Sequence, residues 1–310
     1  MVYENLMNLQ KNLDKFLKRA ILIYLSIYLS IYKFLLPAVV TLPGLFAFTL
    51  ITARAATGNV SNEAELRAAV ANTGNGDVIL SNNIGTLTTQ LLIERNLILD
   101  LNGYTLTIDL PAATGASSNG LVIPAGGVTL TVMDSSSPST GALTVSNGAA
   151  NASSTGYGAA INTSAGTLII QSGTVTATSY SEGAAIGGGA EQAGGNLTIS
   201  GGKVIANASG SGAAIGGGAE SATGRPGGNI TISGGMVTAA SSGLGAGIGG
   251  SGANGTGGAG GTVNITGGEV TATVISGGAA IGGGCGVDTT GGAGGTINIT
   301  GPALPSGISA

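Results

Sequence analysis

The phrase GAAIGGG at Gly183–Gly189 returns unchanged at Gly212–Gly218 and Gly278–Gly284, and as GAGIGGS at Gly245–Ser251. A second phrase travels with it: GGNLTISGGKVIA (Gly194–Ala206), GGNITISGGMVTA (Gly227–Ala239), GGTVNITGGEVTA (Gly260–Ala272) and GGTINITGPA (Gly294–Ala303), with a weaker copy, GTLIIQSGTVTA, at Gly166–Ala177. The apolar pairs Leu168/Ile170, Leu197/Ile199, Ile230/Ile232, Val263/Ile265 and Ile297/Ile299 step by 29, 33, 33 and 34 residues. A unit this short cannot bury its apolar face alone. A fixed period in this range therefore means a stack in which each unit covers the next.

Each unit holds three short pieces. In Asn229–Ser233 polar and apolar residues alternate, which reads as a strand with Ile230 and Ile232 inward. Gly234-Gly235 then supplies a turn, because glycine takes positive φ without strain. A second strand, Met236–Ala240, puts Val237 and Ala239 inward, and the glycine phrase supplies a third. The expected fold is all-β: a right-handed parallel β-helix with three-strand coils of about 25–34 residues, successive coils pairing at about 4.8 Å. Ile186, Ile215, Ile248 and Ile281 become rungs of one internal ladder. A propeller blade needs four strands in a longer unit, so it fits less well. As a phosphate loop the glycine phrase fails, since no Lys-Ser/Thr follows it and no helix pattern starts after it.

The remaining chain divides around these repeats. Residues 1–55 are expected to be a signal peptide or membrane anchor: Lys33, a 19-residue apolar run (Phe34–Thr52) and Ala53-Arg54-Ala55 stand in secretory order. Cleavage after Ala55 is the preferred expectation, giving a secreted or cell-surface protein; uncleaved, residues 20–52 would be the only membrane contact. Residues 56–110 read as an N-terminal cap and first coils. There Ser61–Asn72 forms a helix with Asn62 as N-cap, Glu65 completing a capping box, and Leu66, Ala69 and Val70 on one face. Residues 111–303 carry the β-helix repeats, and 304–310 a frayed tail. The last coil shows no cap of its own, so end-to-end association is expected there.

The stretches LILDLNGYTLTI (Leu97–Ile108) and LTVMDSSSPSTG (Leu130–Gly141), with the repeats, together resemble bacterial right-handed β-helix surface proteins. These are adhesin-like or carbohydrate-binding-domain-like members of the pectin-lyase-like fold group. The resemblance implies a β-helix over residues 60–303 and an exported protein. It does not choose among lyases, hydrolases and pure binders.

Residue chemistry narrows that choice. The chain has no His and no Trp, and one cysteine, Cys285. Serine and cysteine nucleophiles thus lack their usual base, and zinc lacks ligands. No cofactor or metal is expected, and Cys285 reads as a small buried residue. Past residue 55, twelve acids face four bases (Arg67, Arg95, Lys203 and Arg225), so nucleic acid is not an expected partner.

Two candidate surfaces remain. The outward positions of the first strand form uncharged columns in which Asn196 and Asn229, and Thr198, Thr231, Asn264 and Asn298, follow one another; a third column is Gln171/Ser200/Ser233/Thr266/Thr300. The loops after the glycine phrase carry Glu191, Glu220, Arg225 and Asp288 along one edge. Glu191 and Glu220 each lie five residues after a ladder isoleucine, so coils in register would stack the two carboxylates. The expectation is a surface-associated β-helix without catalysis that contacts a polysaccharide or cell-surface glycan. A glycan lyase or hydrolase using the loop carboxylates is the rival. Ice binding fits less, because the Thr columns are mixed with Asn, Ile, Lys and Met.

Overall fold

Alternation in sequence becomes alternation of burial. In Asn196–Ile199, Leu197 and Ile199 are buried while Asn196 is exposed and Thr198 half-buried. In Thr174–Ser179, Val175, Ala177 and Ser179 are buried and the residues between them are not. A strand with one apolar edge needs a covered interior, and repeating it needs a tube.

The computed structural model describes residues 58–71, 76–110, 118–124, 126–148, 158–219, 222–288 and 290–301. All of them fall within one compact unit, residues 54–310. The N-terminal segment 1–55, the tail 304–310 and Glu220 lie outside the described residues.

Three faces enclose the core, and the strands within each are parallel. The first face runs Gly58–Val60, Val78–Leu80, Leu97–Asp100, Thr129–Met133, Thr167–Ile170 and Asn196–Ile199. It continues through the leading parts of Asn229–Ser241 and Thr262–Val274 to Thr296–Ile299. The second runs Ile84–Leu87, Thr105–Leu110, Ala142–Asn147, Thr174–Ser179 and Lys203–Ala208, ending on the trailing parts of the same two long strands. The third is the glycine phrase: Leu91–Leu92, Leu121–Val122, Ile161–Asn162, Ile186–Gly187, Ile215–Gly216, Ile248–Gly249 and Ile281–Gly282. The fold is the right-handed parallel β-helix that the repeats imply.

The interior is a set of vertical files. Ile161, Ile186, Ile215 and Ile248 are one, fully buried; Leu168, Leu197, Ile230 and Val263 are a second; Val175, Val204 and Val237 a third. Burying each such side chain contributes roughly 1.5–3 kcal/mol. At the last coil the same files surface: Ile297 is 41% and Ile299 49% exposed, because no described residue lies over them. Cys285 follows this trend; expected to be buried, it is half-buried on the last third-face coil.

The first coil is covered by the helix Glu63–Ala71, which packs against strands of all three faces and buries Leu66, Ala69 and Val70. Its N-terminus is capped as expected by Asn62, whose Oδ1 accepts from the Glu65 N–H at 3.0 Å. The returning carboxylate differs from expectation. Glu65 accepts from the backbone N–H of Ser61 at 2.7 Å, one residue before the N-cap, and from the Ser61 hydroxyl at 2.9 Å. These bonds from Ser61, helped by Asn62, lower its pKa.

Three details depart from the sequence reading. The first and second strands of two coils are one 13-residue strand each, Asn229–Ser241 and Thr262–Val274. Gly235 (φ +83°) and Gly268 (φ +86°) bend them without ending the pairing. Coil length also exceeds 34: Ile161 stands 40 residues after its partner Leu121. And Ser233 pairs with Gly267 rather than Thr266, because the register shifts at that corner, so the third outward column is interrupted.

Two buried polar centres hold the irregular early coils. Asp134, 6% exposed, accepts hydrogen bonds from the backbone of Gly103 (2.8 Å) and Gly141 (2.6 Å) and from the hydroxyls of Ser136 and Ser139 (2.8 Å each). Burial by itself would raise its pKa; the bonds from Ser139, Gly141, Ser136 and Gly103 outweigh that and hold it at about 2. Across the tube, Asn162 donates to Asn119 Oδ1 at 3.0 Å and to Gln192 Oε1 at 2.8 Å, an amide ladder spanning three coils.

Candidate functional site

Strand pairing fixes the outward columns residue by residue. Asn196 stands beside Asn229, and Thr198 beside Thr231. Thr231 pairs with Asn264, and Asn264 with Asn298. The structure thus brings all six strand-face candidates onto the first face, on the side away from the core. Asn196, Asn229 and Asn298 are exposed; Thr198, Thr231 and Asn264 are half-buried. Two amide bonds run along the columns: Asn229 Nδ2 donates to Asn196 Oδ1 at 3.1 Å, and Asn298 Nδ2 to Asn264 Oδ1 at 2.8 Å. Each amide keeps a second N–H and a second lone pair for another partner.

Glu191, Arg225 and Asp288 sit on the chain between the third and first faces, after the Ile186, Ile215 and Ile281 rungs. Glu191 is exposed, adopts φ 61°, and donates its N–H to the Ala219 carbonyl at 2.9 Å. Arg225 is half-buried; its N–H donates to Ser251 Oγ at 2.8 Å and its carbonyl accepts from the Ser251 N–H at 3.1 Å. Asp288 is exposed and donates its N–H to Asn254 O at 2.9 Å. These loops stack like the strands: Thr223 bridges Thr256, and Ala253 bridges Gly286.

The expected stacking of Glu191 on Glu220 falls outside the described residues. The carboxylate that acts on Glu191's neighbourhood is Glu182, which sequence reasoning passed over. Burial raises the Glu182 pKa, and the charge of Glu191 raises it further. Nothing in the repeat marks Glu182, since the position three residues after the second-face strand is not periodic in residue type. Among the described residues, no three acidic or cysteine side chains come together as metal ligands. No described helix is long and apolar enough to cross a membrane.

This geometry defines a protein of the right-handed parallel β-helix class, whose usable surface is the outside of stacked coils. Comparison with known families agrees in register. Residues 168–190, 197–219, 230–252 and 263–285 each match the model of the beta helix repeat. Each matched segment starts at an inward first-face residue (Leu168, Leu197, Ile230 or Val263) and ends just beyond the third-face rung. No curated protein and no solved structure matches the chain.

Proposed function

We propose that this chain is an exported, non-catalytic β-helix that lies against a neutral polysaccharide or cell-surface glycan through its first face. The carrying observation is the pair of in-register, uncharged columns of Asn196/Asn229 and Thr198/Thr231/Asn264/Asn298. They repeat a donor–acceptor set at one coil spacing, about 4.8 Å. A polymer with a short repeat can make the same contact at each level, so weak contacts add along its length. The secretory order of residues 1–55 supports delivery to the outside.

The test is co-sedimentation with insoluble neutral polysaccharides, with reducing ends assayed in the supernatant. The chain is expected to pellet with at least one of them and release no new ends. Thr231→Ala combined with Asn264→Ala should reduce the bound fraction several-fold while the thermal midpoint moves little. Release of oligosaccharide by the unaltered chain would overturn the non-catalytic reading.

Glycan hydrolysis has one observation in its favour. Burial and the charge of Glu191 raise the pKa of Glu182, the direction a general acid requires. If reducing ends do appear, Glu182→Gln should abolish them.

A further inference from the structure

A groove of about 350 Å³ runs across the coils at the trailing ends of the second-face strands, where the chain turns toward the third face. Its wall is a vertical file, one residue per coil: Tyr180, Ser209, Ser242, Ile275. Backbone bonds fix that order. The Ser209 N–H donates to Ser179 O (3.0 Å), the Ser242 N–H to Ala208 O (2.8 Å) and the Ile275 N–H to Ser241 O (2.9 Å). The adjacent outward column, Thr178/Asn207/Ala240/Thr273, forms the other side and is in register throughout.

The chemistry of this lining is narrow. It contains hydroxyls, one carboxamide, an aromatic ring at one end and an aliphatic side chain at the other, and no charged group. Ile275 is 84% exposed, the most exposed of the large apolar side chains among the described residues, and it stands at the last described level of the second face. Tyr180 is also one of only three tyrosines after residue 55, a part of the chain that has no Phe or Trp.

From the groove we infer a binding site for an uncharged oligosaccharide lying parallel to the helix axis. One sugar ring stacks on Tyr180; the following units meet Asn207, Ser209, Ser242 and Thr273; the apolar face of the last rests on Ile275. The file advances one coil per residue, about 4.8 Å, a pitch close to that of one sugar unit. A slot of this size with an apolar anchor and a few convergent polar groups is the ordinary form of a small-ligand site. The ligand class rests on the glycan reading above, whereas the location does not involve the first face.

Isothermal titration of the full chain with neutral hexasaccharides (cellohexaose, laminarihexaose and mannohexaose) and with an acidic one, hexagalacturonate, tests the site. At least one neutral hexasaccharide should bind, and bind more tightly than hexagalacturonate. Tyr180→Ala should weaken it tenfold or more, Tyr180→Phe should retain it, and Ile275→Ser should weaken it several-fold. Each variant's thermal midpoint is measured alongside; Ile275 is exposed, so its variant keeps the test valid should Tyr180→Ala unfold. Thr107→Ala, at an outward second-face position that lines neither surface, should leave the titration unchanged. Binding lost in Thr231→Ala but kept in Tyr180→Ala and Ile275→Ser overturns the groove and leaves the first-face proposal standing. Preference for hexagalacturonate overturns the uncharged ligand class, and no binding by any hexasaccharide overturns the site. Sedimentation with insoluble polysaccharide in that last case would still uphold the first-face reading.

Discussion

Gly216→Ala is expected to lower stability by about 4 kcal/mol, read as a large fall in urea midpoint by circular dichroism. Gly216 has φ +141°, a conformation side chains rarely adopt, and an added Cβ would stand 1.9 Å from the carbonyl oxygen of Gly249 in the next coil. Gly187 and Gly249 meet the same obstacle, at 1.9 and 2.0 Å from the following coil's carbonyl. The molecule carries its own controls. Gly282 has the same φ, +141°, but its nearest obstacle is the Ala279 Cβ at 3.2 Å, because no described coil overlies it. Gly282→Ala should therefore cost only the backbone strain, about 1–2 kcal/mol. Gly247→Ala should fall below Gly216→Ala: its Cβ would stand 2.7 Å from the Ala280 carbonyl oxygen, less close than at Gly216, and the same register position holds Ala185, Ala214 and Ala280 in the other coils. Equal losses at Gly216 and Gly282 would contradict close coil approach as the reason for the glycines.

Asp134→Ala is the second large effect, about 3 kcal/mol, because it leaves the N–H groups of Gly103 and Gly141 without their acceptor. Its pH signature is specific. The folded pKa of about 2 lies below the ordinary value of 3.8, so the folded state favours the ionised form. The resulting stabilisation is fully present above pH 4 and is lost as pH falls through 2; the shift is worth about 2 kcal/mol. The unaltered chain should therefore lose stability relative to Asp134→Asn between pH 4 and pH 2. Parallel curves for the two chains over that range would remove Asp134 from its structural role.

Legibility in the sequence follows the repeat. The rungs Ile186, Ile215, Ile248 and Ile281 and the Asn/Thr columns could be read because residue type recurs at the coil step and alternation fixes the side of the sheet. The earlier rungs Leu91, Leu121 and Ile161 escaped. They pair in the same file, yet none carries the full glycine phrase, and the step of 40 residues from Leu121 to Ile161 breaks the period. Asn162 shares its register with Gly187, so a buried Asn162–Asn119 amide pair stands where the pattern shows only glycine. The Tyr180–Ile275 groove was hidden for a related reason. Tyr, Ser, Ser and Ile share no chemistry, and only the coil register brings them into one file. Likewise Glu182 meets Glu191 through burial and charge that no one-dimensional pattern carries.

Both proposed surfaces depend on one register, in which Thr198 lies directly beside Thr231. With Cys285 replaced by serine, Thr198→Cys paired with Thr231→Cys places two thiols on neighbouring parallel strands, within the Cα separation of roughly 4.4–6.8 Å that a disulfide requires. Mild oxidation should cross-link this pair quickly. Thr198→Cys paired with Ser233→Cys, two residues along the same strand, should cross-link far more slowly. Faster cross-linking of the offset pair, or equal rates, would contradict the stacked-coil register and every surface drawn from it.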